Sequence, residues 1–150
     1  MRTPLLFHLP IALFLLFFSL LGALYEGSNI LNNPFEWGHS AHFSKLFNGS
    51  SMSSSDISQL DFFIYASKFY PFFPILLLLS FLYLITIIGV YAIKDRRSRG
   101  IFFRVYTACL LVGLIVILMQ HIHVKYYYAS ILFVNIGVNC LLNYRNYRRV

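Results

Sequence analysis

The chain has 150 residues, of which 59% are hydrophobic, 19% aromatic and 11% charged, with a formal net charge of +7. Soluble domains carry about 25% charged residues, so this composition excludes an ordinary soluble globule and a disordered chain, and two cysteines exclude a disulfide scaffold. What remains is an integral membrane protein of single-domain size, 1–150.

The first apolar run is Leu5 to Leu24. It meets the requirement of about 20 helical residues to cross roughly 30 Å of hydrocarbon. Pro10 is expected to kink it or mark its true start. A cleaved signal peptide is the competing reading, with Arg2 ahead and the small-residue patch Leu21-Gly22-Ala23 near the end. An apolar core longer than the usual 7–15 or so residues favours a retained span. His8 lies near the inner end of this span and is expected at the interface.

Residues 26–70 form the only sizeable extramembrane piece, and 45 residues are too few to build an independent core. The segment is expected to pack on the bundle, lie on the membrane or stay mobile. Asn32-Asn33-Pro34-Phe35-Glu36-Trp37-Gly38 is an ordered turn by composition. Glu36, His39 and His42 recur at i, i+3, i+6, which on one helix places three metal-ligating groups on a shared face. Pro34 and Gly38 weaken that reading. Residues 49–55 form a Gly/Ser linker, and Asn48-Gly49-Ser50 is a glycosylation sequon that matters only in a secretory eukaryotic setting. The spacing predicts a helix over 56–69 with Asp56 as N-cap and Gln59 completing a capping box. Ile57, Leu60, Phe63 and Ile64 fall on one face of it. With Phe62, Tyr65, Phe69 and Tyr70 nearby, this is expected to be an amphipathic helix on the outer surface of the bilayer, ended by Pro71.

The second run is Pro74 to Ile93, with Pro74 placed where a helix start tolerates its missing N–H. Its polar residues are Ser80, Tyr83 and Thr86. A basic loop follows, Lys94-Asp95-Arg96-Arg97-Ser98-Arg99. The third run is Ile101 to about Gln120, with His121 and His123 at its outer edge. The fourth is about Tyr126 to Asn143. There Asn135, Asn139 and Asn143 recur every four residues on one helical face, and Tyr128 falls on the same stripe. Amides in hydrocarbon are costly unless bonded, so this face is expected to look into the bundle or at a partner. Ser80, Tyr83 and Thr86 of the second span lie at similar depth and are its expected partners. Polar glue between helices is one reading, and a pore lining is the other. Cys109 and Cys140 fall in the inner halves of their spans and are expected to be small apolar packers.

The run Tyr25-Glu26-Gly27-Ser28, then Leu31, Pro34 and Glu36-Trp37, and later Asp56-Ile57-Ser58-Gln59-Leu60-Asp61, resembles a family of uncharacterised small four-span membrane proteins from low-GC Gram-positive bacteria. The resemblance covers the first two spans and the outer segment best. It implies a domain of unknown function in the plasma membrane, and no activity.

Basic residues set the orientation. Arg2, the 94–99 loop, Arg104, Arg145, Arg148 and Arg149 share one side, while Lys45, Lys68 and Lys125 lie on the other. The positive-inside rule puts both termini and the loop in the cytoplasm, against an anionic inner leaflet. No nucleic-acid motif surrounds these charges. No charged residue sits in the middle of any span, which argues against a proton-driven pump and an intramembrane hydrolase. The expected architecture is an all-α, four-helix transmembrane bundle without a cofactor, whose outer loop carries an interfacial helix. The expected function is a non-enzymatic accessory or partner-binding envelope protein, alone, as a homo-oligomer or with a membrane-protein partner. The alternative is a small transporter or channel subunit.

Overall fold

The computed structural model describes residues 3–49, 53–119 and 124–148. Among them the regular structure is helical: α1 Thr3–Gly27, α2 Trp37–Ser40, α3 His42–Asn48, α4 Gln59–Phe69, α5 Phe72–Ile87, α6 Arg96–Met119 and α7 Lys125–Arg148. Among the described residues, three stretches are long and apolar enough to cross a membrane: Phe7–Asn32, Phe72–Ala92 and Arg96–Met119. α7 has comparable length, 24 residues, but its asparagines and tyrosines dilute its hydropathy. α1 runs through Pro10 without interruption. The chain divides into two compact units, Met1–Phe14 with Leu79–Val150, and Leu15–Leu78.

In the unit containing Leu79–Val150, α6 and α7 pack against each other more extensively than any other helix pair. They are antiparallel and share a seven-residue register. Arg99 meets Asn146, Tyr106 meets the Asn135–Asn139 turn, and Gly113 meets Leu132. Such a repeat is what keeps a helical seam facing its partner. α5 ends in a π-turn, Ile88–Ala92. Gly89 lets the Phe102 ring pack close there, because a Cβ would overlap that ring and force it to shift. The chain turns at Ile93, and α6 starts at Arg96, so most of the expected basic loop is instead the first turn of a helix. Asp95 caps that turn, accepting from the Ser98 backbone N–H at 2.7 Å and from its hydroxyl at 2.6 Å.

In the other unit, residues 28–49 and 53–69 are ordered to a degree the sequence does not suggest. Ile30, Ala41, Ile57 and Tyr65 form a small buried core, with Leu31, Trp37 and Phe62 packed against it. Gly27 lets the α4 backbone come close, because a Cβ there would overlap the Phe62 carbonyl. The linker expectation for 50–52 lies outside the described residues, as do His121 and His123.

Candidate functional site

The 28–69 segment is organised around one carboxylate. Asp61 sits in the first turn of α4 and is fully buried. One oxygen accepts the Phe43 N–H at 2.9 Å, and the other accepts the Ser44 N–H at 2.8 Å and the Ser44 hydroxyl. These amides belong to the first turn of α3, whose own N-cap, Ala41, has no side-chain acceptor. Asp61 is thus a tertiary cap, supplied from another helix to the positive end of α3. Ser44 Oγ in turn accepts the Ser58 N–H at 2.8 Å. Ser58 caps α4 by accepting from the Leu60 N–H at 3.2 Å.

This corrects the helix expected over 56–69. Asp56 is not its N-cap; it closes a 3₁₀ turn, Ser54–Asp56, by accepting from the Ser53 N–H at 2.9 Å and the Ser53 hydroxyl at 2.7 Å. Helix α4 begins three residues later. The buried residues of α4 are Asp61, Tyr65 and Ala66. Of the expected apolar face, Ile57 precedes the helix and enters the core, Leu60 is 55% exposed, and Phe63 and Ile64 are half-buried. A buried carboxylate on the inner face explains the displacement, since hydrophobic periodicity places charge outside.

Glu36, His39 and His42 do not converge. They lie on a 3₁₀ turn, on α2 and on α3, with a break at Ala41 between the two helices. Both histidines are exposed. The Glu36 carboxylate accepts from Lys68 at 2.7 Å and from the Ser40 hydroxyl at 3.2 Å, and the Lys68 bond holds its pKa below the ordinary glutamate value despite partial burial. Among the described residues, no group of three or more His, Cys, Asp or Glu is placed to hold a metal ion. Trp37 completes the segment by donating its indole N–H to the Ile30 carbonyl at 2.8 Å.

The asparagine face is the second polar centre. Asn139 is fully buried, and its Nδ2 donates to the backbone oxygen and to Oδ1 of Asn135, both at 2.9 Å. The Tyr106 hydroxyl lies 3.1 Å from Asn135 Oδ1 and 3.3 Å from the Leu82 carbonyl. With one proton, it serves one acceptor at a time. The expected partners on α5 lie as follows. Thr86 returns its hydroxyl to the Leu82 carbonyl at 2.8 Å, Ser80 is buried, and the Tyr83 hydroxyl pairs with His8 Nδ1 at 2.7 Å. Asn143 lies further along, near Gly100, and Tyr128 is half-buried. Tyr106 is the residue that sequence reasoning missed. A tyrosine one and a half turns into the third span, at the depth where Asn139 stands in the fourth, was the available signal. Asn139 Oδ1 is buried without a donor among the described residues. Cys109 and Cys140 are free and exposed.

Residues 6–93 match a family described as a domain of unknown function, DUF4306. The chain belongs to the DUF4306 family. The match takes in nearly all of α1, the 28–69 segment and α5, and leaves α6 and α7 outside it. The chain is also 40% identical over 79 residues to the uncharacterized protein YjdJ of Bacillus subtilis strain 168, covering 50% of this chain and 72% of that one. No solved structure matches. The motif that carried the resemblance has a structural rationale. Gly27 admits α4, Glu36 and Trp37 tie the turn to Lys68 and Ile30, Ser58 caps α4, and Asp61 caps α3.

Proposed function

We propose that this DUF4306 member is a small non-enzymatic integral membrane protein of the plasma membrane. It threads the bilayer four times with both termini in the cytoplasm, and its 28–69 segment is an extracytoplasmic binding surface for a membrane-protein partner or a second copy. Three membrane-length apolar stretches support the bilayer reading, as does α6, which leaves Val105, Val112, Ile115 and Met119 exposed. α7 spans about 36 Å at 1.5 Å per residue, enough for a fourth crossing.

The observation that carries the binding reading is the contrast inside the 28–69 segment. A buried carboxylate network and a small core fix its backbone, yet Phe35 is 92% exposed, and Phe43, Leu46 and Phe47 form an uncovered stripe on α3. A fixed scaffold presenting large apolar side chains is the anatomy of a contact surface. Photo-crosslinkers at positions 35 and 47, used in intact cells, test it. Specific protein adducts that vanish when Asp61 is replaced support the proposal. Free monomer alone in every growth condition contradicts it.

The alternative, a transporter or channel subunit, draws on the unpartnered Oδ1 of Asn139, since a buried acceptor is what a polar path would offer. The mutual bonding of Asn135, Asn139 and Tyr106 favours glue between helices.

A further inference from the structure

Three arginines converge where α6 begins and α7 ends. Arg96, Arg99 and Arg145, with Asn146 and the Tyr91 ring of the π-turn, line a cavity of about 300 Å³. That is the small end of the range for ligand cavities, roughly 300–1,000 Å³. Among the described residues, no acidic side chain lines it. Asp95 stands at the neighbouring groove, already engaged by Ser98, whose hydroxyl first and N–H second hold its carboxyl below the ordinary aspartate range.

The arrangement is built rather than incidental. Asn146 donates its Nδ2 to the Arg96 carbonyl at 3.1 Å and accepts Arg99 Nε at 3.0 Å. That clamp ties the end of α7 to the first turn of α6 and holds the Arg99 guanidinium through its Nε at the cavity it lines. Arg145 has no carboxylate partner among the described residues. The placement also opposes the helix dipole. Cations are unfavourable at a helix N-terminus, yet Arg96, Arg97 and Arg99 occupy the first turn of α6. Like charges gathered at that end are relieved by an anion with several oxygens, and planar guanidinium forks match a phosphate bidentately. Since Asp95 already takes the Ser98 amide, the guanidinium groups carry the recognition.

We infer that this cavity binds a phosphate-bearing anion, held by Arg96, Arg99 and Arg145. The phosphate comes from an anionic lipid headgroup or from a free phosphate compound; the lipid source rests on the bilayer reading above.

The test uses the full chain in detergent and in lipid nanodiscs. Native mass spectrometry follows adducts of phosphatidylglycerol against phosphatidylcholine, and calorimetry follows inorganic phosphate. Two double variants remove equal charge: Arg99→Gln with Arg145→Gln inside the cavity, and Lys94→Gln with Arg97→Gln outside it. Arg145→Gln alone guards against a folding artefact, because Arg145 makes no hydrogen bond or ion pair among the described residues. The expected result is binding of at least one probe that falls by about tenfold or more in the cavity variant and by less than about twofold in the outer one. Phosphatidylglycerol adducts without phosphate binding assign the lipid source; saturable phosphate binding assigns the free one. Equal losses in both double variants, or no binding of either probe by the wild-type chain, overturn the inference. A chain that stays in solution without detergent contradicts the bilayer reading, and the phosphate arm then decides the cavity by itself.

Discussion

The Asp61 carboxylate accepts the backbone N–H of Ser44 at 2.8 Å, so a side chain on α4 caps a helix that lies before it in the chain. This bond, with those to Phe43 N–H and the Ser44 hydroxyl, orders a segment too short to hold itself by apolar burial alone. Asp61→Ala leaves two buried amides and a hydroxyl without their acceptor and is expected to cost about 2–5 kcal/mol. Asp61→Asn retains one acceptor oxygen and loses less. Trp37 is the sole tryptophan and packs in this segment, so its fluorescence in a denaturant titration reads the loss directly.

Gly27 and Gly38 give a matched pair. A Cβ on Gly27 overlaps the Phe62 carbonyl, backbone that has no flexible end to move, whereas Gly38 has nothing within 4 Å. Gly27→Ala is expected to destabilise the segment by about 1–3 kcal/mol through overpacking. Gly38→Ala, inside α2, is expected to be neutral or to stabilise by up to about 1 kcal/mol. The same Trp37 signal compares them.

The legible part of the fold was the part written in long apolar runs. Each of the four runs became a helix, with ends displaced by a few residues because polar caps such as Asp95, rather than hydropathy, set the boundaries. The 28–69 segment was illegible for a specific reason. Asp56 and Ser58 are both good N-caps, and only the contact between Ser44 and Ser58 decides which one starts α4. The inner face of α4 contains a charge, so a search for apolar periodicity chose Leu60, Phe63 and Ile64 instead. In the fourth span, following the asparagines at four-residue steps hid the seven-residue seam through Leu132, Asn139 and Asn146, and with it the pairing to Tyr106.

Asn135 and Asn139 are expected to differ in their cost of replacement. Asn135 Oδ1 lies in reach of both Tyr106 and Asn139, so Asn135→Leu removes their shared acceptor and leaves Tyr106 with the Leu82 carbonyl and Asn139 with the Asn135 backbone oxygen. Asn139→Leu removes the Nδ2 that donates to the two Asn135 oxygens, together with an Oδ1 that has no donor among the described residues. Single interhelical bonds of this kind are worth about 0.6–1.7 kcal/mol, and the Asn135 variant is expected within that range because it breaks the contact to Tyr106, while the Asn139 variant, whose bonds stay inside α7, falls below it. Unfolding in mixed micelles measures both. Normal folding with loss of solute flux in either variant would favour a pore.

Acid is expected to weaken the 28–69 segment. The Glu36 carboxyl is held below its ordinary value, chiefly by the bond from Lys68. A depressed carboxylate pKa contributes stability that is present above the unfolded value, about 4.3, and is lost as pH falls through the folded one. The pair is partly exposed, so the contribution is at most about 1 kcal/mol. Lys68→Met removes it at pH 7, and the difference between variant and wild type is expected to close as pH falls below the ordinary glutamate range. Trp37 fluorescence against pH in both chains shows whether it does.

Membrane threading is tested most directly by cysteine accessibility in intact cells. Cys109 and Cys140 are first replaced by Ser, and single cysteines are then introduced as Ser55→Cys in the 28–69 segment and Arg97→Cys in the first turn of α6, both exposed positions. A membrane-impermeant maleimide is expected to label the Ser55→Cys chain in whole cells, and the Arg97→Cys chain only after permeabilisation. Labelling of Arg97→Cys from outside, or protection of Ser55→Cys, contradicts the account.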